Sequence, residues 1–576
     1  MKKVIGIVLL ITMVLGCFTA CGTTLEGDDK GADIRVYMAK CPTSFDPSAI
    51  QLDADTVKLM SLIYEPLTVI KSDGSVGAGM ATEWYSKYDA KDGEYRMYFE
   101  LKETQWHDGR KVSADDYVYA WKRILSPSTN SPYASLLFPI KNAKNVKSGI
   151  MTSDDLGLVA ADDLLLEVTF EADYDATLFA QTVANIALSP LREDKVSRDK
   201  NWDVNTTAIM CSGPFRIQGF EQGKKLVLER NTYYMREDDE ALDEYVLPYR
   251  ITCYYSDEDG IAEERVEANR YNEGELFYLG CFNAETYAEF SSKIKSEEAL
   301  SGYNYYFNTK SSASFLGDAK VRKALSIALD RNHIASLVGT GVTPATGIVP
   351  NGVFNTKKGT DFRTEGGALY SAGADSENAK KLLGEAGVNG GSFNLTYLKG
   401  DATAEAVAQY AVSVWKDLGF NVTAKAVSAK NYEETLLKGE YDVIGLDFAG
   451  NSTDAFMYLA PFATRYSGNI VSIDLESDTY TPHFTNIEDA DYDKLVDEAL
   501  LVSKDKDDRA AKLHAIEAKL VELSPVTALY YNVNNRVVSS KLSELKTVYA
   551  GIQLFTEAEL SGYKNISYPD REEVSE

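Results

Sequence analysis

Trp106-His107-Asp108-Gly109, followed by Val112-Ser113-Ala114-Asp115-Asp116-Tyr117-Val118-Tyr119-Ala120-Trp121-Lys122-Arg123, is the densest pattern in the chain. Ser113 stands where a helix N-cap belongs, and Pro127 stops the helix after Leu125. Val118, Trp121 and Leu125 recur at helical spacing and predict a buried stripe. The same periodicity returns from Ala319 to about Asp330, with Val321, Leu325 and Ala328 inward. It returns again over Thr403 to Leu418 (Val407, Ala411, Val414, Leu418; Gly419 as the stop) and over Arg509 to Leu523 (Leu513, Ile516, Leu520). Strand-like runs lie between them: Tyr95 to Leu101, Lys225 to Glu229, and Tyr303 to Phe307. The last places Tyr303, Tyr305 and Phe307 on one face, as sheet packing rather than a stacking platform. Irregular alternation of the two periods predicts a mixed α/β protein.

The chain has 576 residues, a formal net charge of −28, 44% hydrophobic and 25% charged residues, a globular composition. That length suggests about three or four domain-sized units. The acidic balance excludes nucleic acid as a partner, which needs a basic patch, and electrostatic adhesion to anionic lipid.

Met1-Lys2-Lys3 and the apolar run Val4 to Leu15 read as an export signal, too short to span a bilayer at about 20 residues. Thr19-Ala20-Cys21 resembles a bacterial lipobox, with Cys21 the expected lipidation site and Cys17 a competing one. Residues 1–21 are then the lipoprotein signal peptide and residues 22–33 a flexible tether. The expected location is the outer face of a bacterial cell membrane. Cys41, Cys211, Cys253 and Cys281 have no zinc spacing. Export permits disulfides, and Cys253 with Cys281 is the first pair to test, buried free thiols being the alternative.

No GxSxG elbow, HExxH or GxxxxGK[ST] loop is present, and four histidines are too sparse for a His-rich metal site. Asp489-Ala490-Asp491-Tyr492-Asp493 imitates half a calcium loop, but Lys494 and Leu500 stand where Gly and Glu are required; it reads as an acidic helix start. No catalytic residue, metal site or cofactor is implied.

Several segments, in order, resemble the extracellular solute-binding proteins of peptide/nickel ABC transporters, the oligopeptide- and dipeptide-binding group. They are Ser44-Phe45-Asp46-Pro47, Leu62-Ile63-Tyr64-Glu65-Pro66-Leu67, the Trp106–Arg123 pattern, Ser212-Gly213-Pro214-Phe215 with Asn231-Thr232-Tyr233-Tyr234, and Phe307-Asn308-Thr309. Val321-Arg322-Lys323-Ala324-Leu325, Asp330-Arg331, Pro344 to Pro350 and Leu529 to Asn534 complete the series, which covers most of residues 34 to 540.

The resemblance implies a two-lobed periplasmic-binding-protein-like fold with a hinge and an extra third domain. Residues 34–57, 190–300 and 526–576 would build the first lobe, 58–189 the extra domain and 301–525 the second lobe. The chain would cross between lobes near Ser301 and Pro525. It also implies a monomeric receptor that captures oligopeptides by closing and delivers them to the permease subunits of an ABC importer. A peptide site needs strand-like pairing to the ligand main chain and a carboxylate for its α-amine. By family position these would be Gln51-Leu52-Asp53 and Asp447, with Asp454 a rival; Tyr530 and Tyr531 would be wall-forming aromatics. Within the same fold the ligand could instead be nickel, haem, an oligosaccharide or a signalling peptide. Other classes are a secreted peptide hydrolase and a sensor or adhesin.

Overall fold

The computed structural model describes residues 30–566, apart from 49–53, 130, 237–239, 257–262, 451, 467–469, 475–478 and 483–484. Cys17, Cys21, the export signal, Gln51, Leu52 and Asp53 therefore lie outside the described residues.

Two 13-residue strands, Lys295–Phe307 and Val526–Val538, organise the molecule. At about 3.3 Å per residue each is some 40 Å long, enough to belong to both halves of one large sheet. Residues Lys295 to Glu298 pair with Arg536 back to Val533, beside Tyr278–Leu279, Asp33–Tyr37, Arg250–Tyr254, Lys225–Arg230 and Phe215–Glu221. Farther along, Ser301 to Phe307 pair with Val443–Ala449, which leads on to Gly391–Leu398 and Phe420–Val427. The register of the two long strands breaks between Glu298 and Gly302, where Leu300 is left-handed (φ 51°). The break separates the part of the pair that runs beside Tyr278–Leu279 from the part that runs beside Val443–Ala449.

The entry of the second long strand is pinned by buried arginines. Ser524 (φ 49°) ends the helix Lys506–Leu523, and Pro525 cannot continue it. Arg322 donates to the carbonyls of Leu316, Leu523 and Ser524, and Arg331 to Ala528 O and Thr527 Oγ1. Both are almost fully buried, and among the described residues no carboxylate forms an ion pair with them, so backbone carbonyls and hydroxyls carry their charge.

The extra domain is a four-stranded antiparallel sheet of Ala81–Asp89, Glu94–Leu101, Leu165–Thr169 and Leu158–Asp162. The predicted helix is Ala114–Leu125, with Trp121 and Leu125 buried. Asp116 accepts from Trp106 Nε1 (3.0 Å), the Ser113 N–H (3.1 Å) and Arg110 Nη2 (2.5 Å). The motif is thus a folding unit. Likewise Gly213 lies against the Ile63–Tyr64 backbone so closely that a Cβ would come within 2.7 Å of Tyr64 N. Its own N–H donates to Ile63 O at 2.9 Å, and Asn231 Nδ2 donates to Gly213 O at 2.9 Å, so three quoted segments form one junction.

Sequence and structure differ in detail. The helix expected to run to Asp330 ends at Ile327, because Asp330 caps a second helix, Arg331–Val338. The Thr403 helix is Ala402–Asp417, and Trp415 rather than Val414 fills its stripe, its indole donating to Leu325 O. The last helix begins three residues earlier, at Lys506, because Asp505 is its cap. Tyr303, Tyr305 and Phe307 do share one buried face, packed on Trp415. Asp489 caps the helix Ala490–Leu501. Cys41, Cys211, Cys253 and Cys281 are all free, so the Cys253–Cys281 disulfide does not form; Cys253 sits buried on its strand and the Cys281 thiol donates to Asp55.

Candidate functional site

Val443–Ala449 is paired along its whole length with Ser301 to Phe307 on one side. On the other side only Val443 and Ile444 have strand partners, Leu395 and Thr396. The neighbouring strand stops at Leu398, the chain turns through Gly400 (φ 88°), and Asp401 caps the helix Ala402–Asp417. From Gly445 to Ala449 this edge therefore has no strand partner among the described residues. Such an edge offers main-chain donors and acceptors to an extended chain.

Asp447 stands within that edge. Its register opposite Tyr303, itself opposite Tyr530, puts the three side chains on one face, and the two tyrosine rings stack at 5.4 Å. Asn532 Nδ2 donates to Asp447 Oδ1 (2.8 Å) and to Ser301 Oγ (3.1 Å), tying the carboxylate to the neighbouring strand and to the Ser301 hydroxyl. Tyr432 donates to Gly445 O. Burial, with the charges of Asp447 and Asp401 added, keeps the Tyr530 phenol well above its usual range and protonated.

The first lobe faces this edge with Lys40, whose Nζ lies 3.1 Å from Asp401 Oδ2. Asp401 raises the Lys40 ammonium pKa well above its ordinary value, with Asp55 and Asp447 adding to the effect against burial. Asp55 accepts the Lys40 backbone N–H and the Lys58 ammonium. The extra domain holds the far end of the edge: Tyr133 donates to Ala449 O (3.1 Å) and Asn185 Nδ2 to Gly450 O (3.0 Å).

The other sequence candidates fall elsewhere. Asp454 is bound to the buried Arg509 at 2.5 Å. Tyr531 points to the opposite face from Tyr530, where its hydroxyl accepts the Gly347 N–H and donates to Gly347 O. That face carries a small hollow lined by residues including Asn304, Tyr306, Ile348, Phe448 and Phe462, and the Asn304 Oδ1 is buried with no hydrogen-bond partner among the described residues. Sequence reasoning did not single out Lys40, Asp401, Tyr432 or Asn532. Asp401 carried a signal, as an acid just before a periodic helix. Among the described residues no group of three or more His, Cys, Asp or Glu could hold a metal ion, and no helix is long and apolar enough to cross a membrane.

Two lobes sharing one sheet through two long strands, with an open strand edge facing the opposite lobe, are the architecture of a clamshell solute-binding protein. The family model "Bacterial extracellular solute-binding proteins, family 5 Middle" matches residues 76–469, and the chain belongs to that family. It is 27% identical to the oligopeptide-binding protein OppA of Bacillus subtilis over 567 residues, 94% of this chain and 96% of that protein. The Listeria monocytogenes OppA bound to peptide aligns with a TM-score of 0.76 at 22% identity, over 92% of this chain and 99% of that one. The Escherichia coli murein tripeptide binding protein MppA also gives 0.76, at 24% identity, covering 92% and 99%. Its unliganded open form gives only 0.55, over 92% of this chain and 98% of that one.

Proposed function

We propose that this protein is the substrate-binding lipoprotein of an ABC importer: it captures oligopeptides in the interlobe cleft by hinge closure and delivers them to the membrane permease. The observation that carries this reading is the edge Gly445–Ala449, which has no strand partner among the described residues and carries the Asp447 carboxylate. An edge of this kind grips what all peptides share, their main chain, and Asp447 suits the α-ammonium. Its chain relatives and structural neighbours are named for oligopeptides, murein peptides and bound peptide, which supports the same ligand class. Tyr530 belongs to this wall, and Gln51, Leu52 and Asp53 are proposed as the facing strand edge of the first lobe.

The lobes proposed are residues 34–57, 190–300 and 526–576 for the first, 58–189 for the extra domain and 301–525 for the second. The protein is proposed to act as a monomer, to bind without turnover, and to be held outside the membrane by lipid on Cys21. Purification from cells followed by mass spectrometry tests the function: intact copurifying peptides are expected, and a non-peptide ligand or cleaved products would overturn it. Cys21→Ala is expected to release the protein into the medium; retention would point to Cys17 or an uncleaved signal.

A further inference from the structure

Lys40 reaches out of its own lobe although a carboxylate lies beside it there. Asp55 Oδ2 already accepts the Lys40 backbone N–H at 3.1 Å, and Asp55 Oδ1 is held by Lys58 at 2.9 Å. The Lys40 ammonium instead crosses to Asp401 Oδ2 at 3.1 Å, while Asp401 Oδ1 accepts the Ala404 N–H at 2.8 Å as a helix cap. One oxygen of Asp401 is thus fixed by the fold and the other is given to a cation from the opposite lobe. About half of the Lys40 side chain is exposed, so it can swing away without uncovering a core.

A lysine ammonium and a peptide α-ammonium are the same group, a compact cation with three donors and no acceptor. We propose that Lys40 is a built-in competitor of the ligand's α-ammonium, paired with Asp401 and yielding that carboxylate when a peptide enters. This rests on the oligopeptide reading above and adds a regulation to it. The Lys40–Asp401 pair links residues far apart in the chain, and the ligand must exchange one ammonium for another. Binding of free-amine peptides is then weakened by competition from inside the protein, whereas a peptide with a blocked amine leaves the pair intact.

The test measures affinity of the full-length protein for a random tetrapeptide pool and for the same pool N-acetylated, at low ionic strength, where an exposed pair is least screened. Lys40→Met is expected to tighten binding of the free-amine pool by about two- to fivefold, the range of an exposed ion pair, and to leave the acetylated pool unchanged. Lys40→Arg, which keeps the charge, is expected to stay near wild type. Weaker binding of the free-amine pool by Lys40→Met would make Lys40 a ligand contact and overturn the proposal, as would equal changes for both pools or no change in either. Failure of the wild-type protein to retain either pool would instead sink the oligopeptide reading itself, so the two failures are told apart.

Discussion

Asp116, in the first turn of a helix, and Asp447, within a strand, each accept a side-chain N–H, yet they belong to regions built in opposite ways. Asp116 collects Trp106, Arg110 and Ser113, all within ten residues of it in the chain. It is almost wholly buried, and burial raises its pKa against the pull of those donors. Asp447 is half-buried, and its surroundings come from Asn532, Tyr303 and the far side of the cleft. The first network closes on itself and stabilises a fold; the second draws on residues far apart in the chain. The contrast predicts that changes near Trp106 cost stability and spare affinity, and that changes at the strand edge do the reverse.

Asp116→Ala carries the largest expected effect. It strands the Trp106 indole N–H and uncaps the helix, so a loss of about 3 kcal/mol in urea unfolding is expected, with unchanged peptide affinity in the folded protein. An affinity loss at full stability would break the comparison.

The same region should give a pH signature. Burial, then the charge of Arg216, lowers the His107 pKa to about 4, and its Nδ1 accepts the Cys211 N–H at 3.0 Å. In the unfolded chain the ring takes up its proton near 6.5, so between 6.5 and 4 the unfolded state binds more protons than the folded one. Stability from this group is complete above 6.5 and falls as pH drops toward 4, by about 2 kcal/mol after allowance for partial exposure. Urea midpoints at pH 7 and pH 4.5 measure it, and His107→Gln is expected to flatten that limb.

Asp447→Asn sharpens the other side. Free-amine peptides are expected to bind about tenfold more weakly, a cost of about 1.4 kcal/mol, while N-acetylated peptides and the unfolding midpoint barely move. Calorimetric titration of both peptide forms decides it: equal losses would remove Asp447 from the amine-binding role.

The contrast also explains what could be read from sequence. The Trp106 helix, the Tyr303 alternation and the Asp489 helix start were legible, because short-range periodicity and capping fix them. Arg322 and Arg331 were legible only as motif letters. Their work, holding a strand some two hundred residues away by its carbonyls, is a tertiary fact. The site was legible only as a strand with an acid in it. That part of its edge has no strand partner among the described residues depends on where Gly391–Leu398 stops, and that Lys40 reaches Asp401 depends on a contact between residues 361 positions apart, neither of which is local.

The smallest expected effect lies within the folding unit itself. Ser113 precedes the helix in extended conformation (φ −134°, ψ 167°), and its N–H bonds Asp116 Oδ2 at 3.1 Å. This half of the cap uses the backbone of residue 113 and the side chain of residue 116, so it survives Ser113→Ala. Replacing a serine cap costs about 0.5–2 kcal/mol in general, and here the low end, about 0.5 kcal/mol, is expected. The urea midpoint of Ser113→Ala beside that of Asp116→Ala measures how the cap is divided. A Ser113→Ala loss as large as that of Asp116→Ala would move the cap to the hydroxyl and leave Asp116 holding chiefly Trp106 and Arg110.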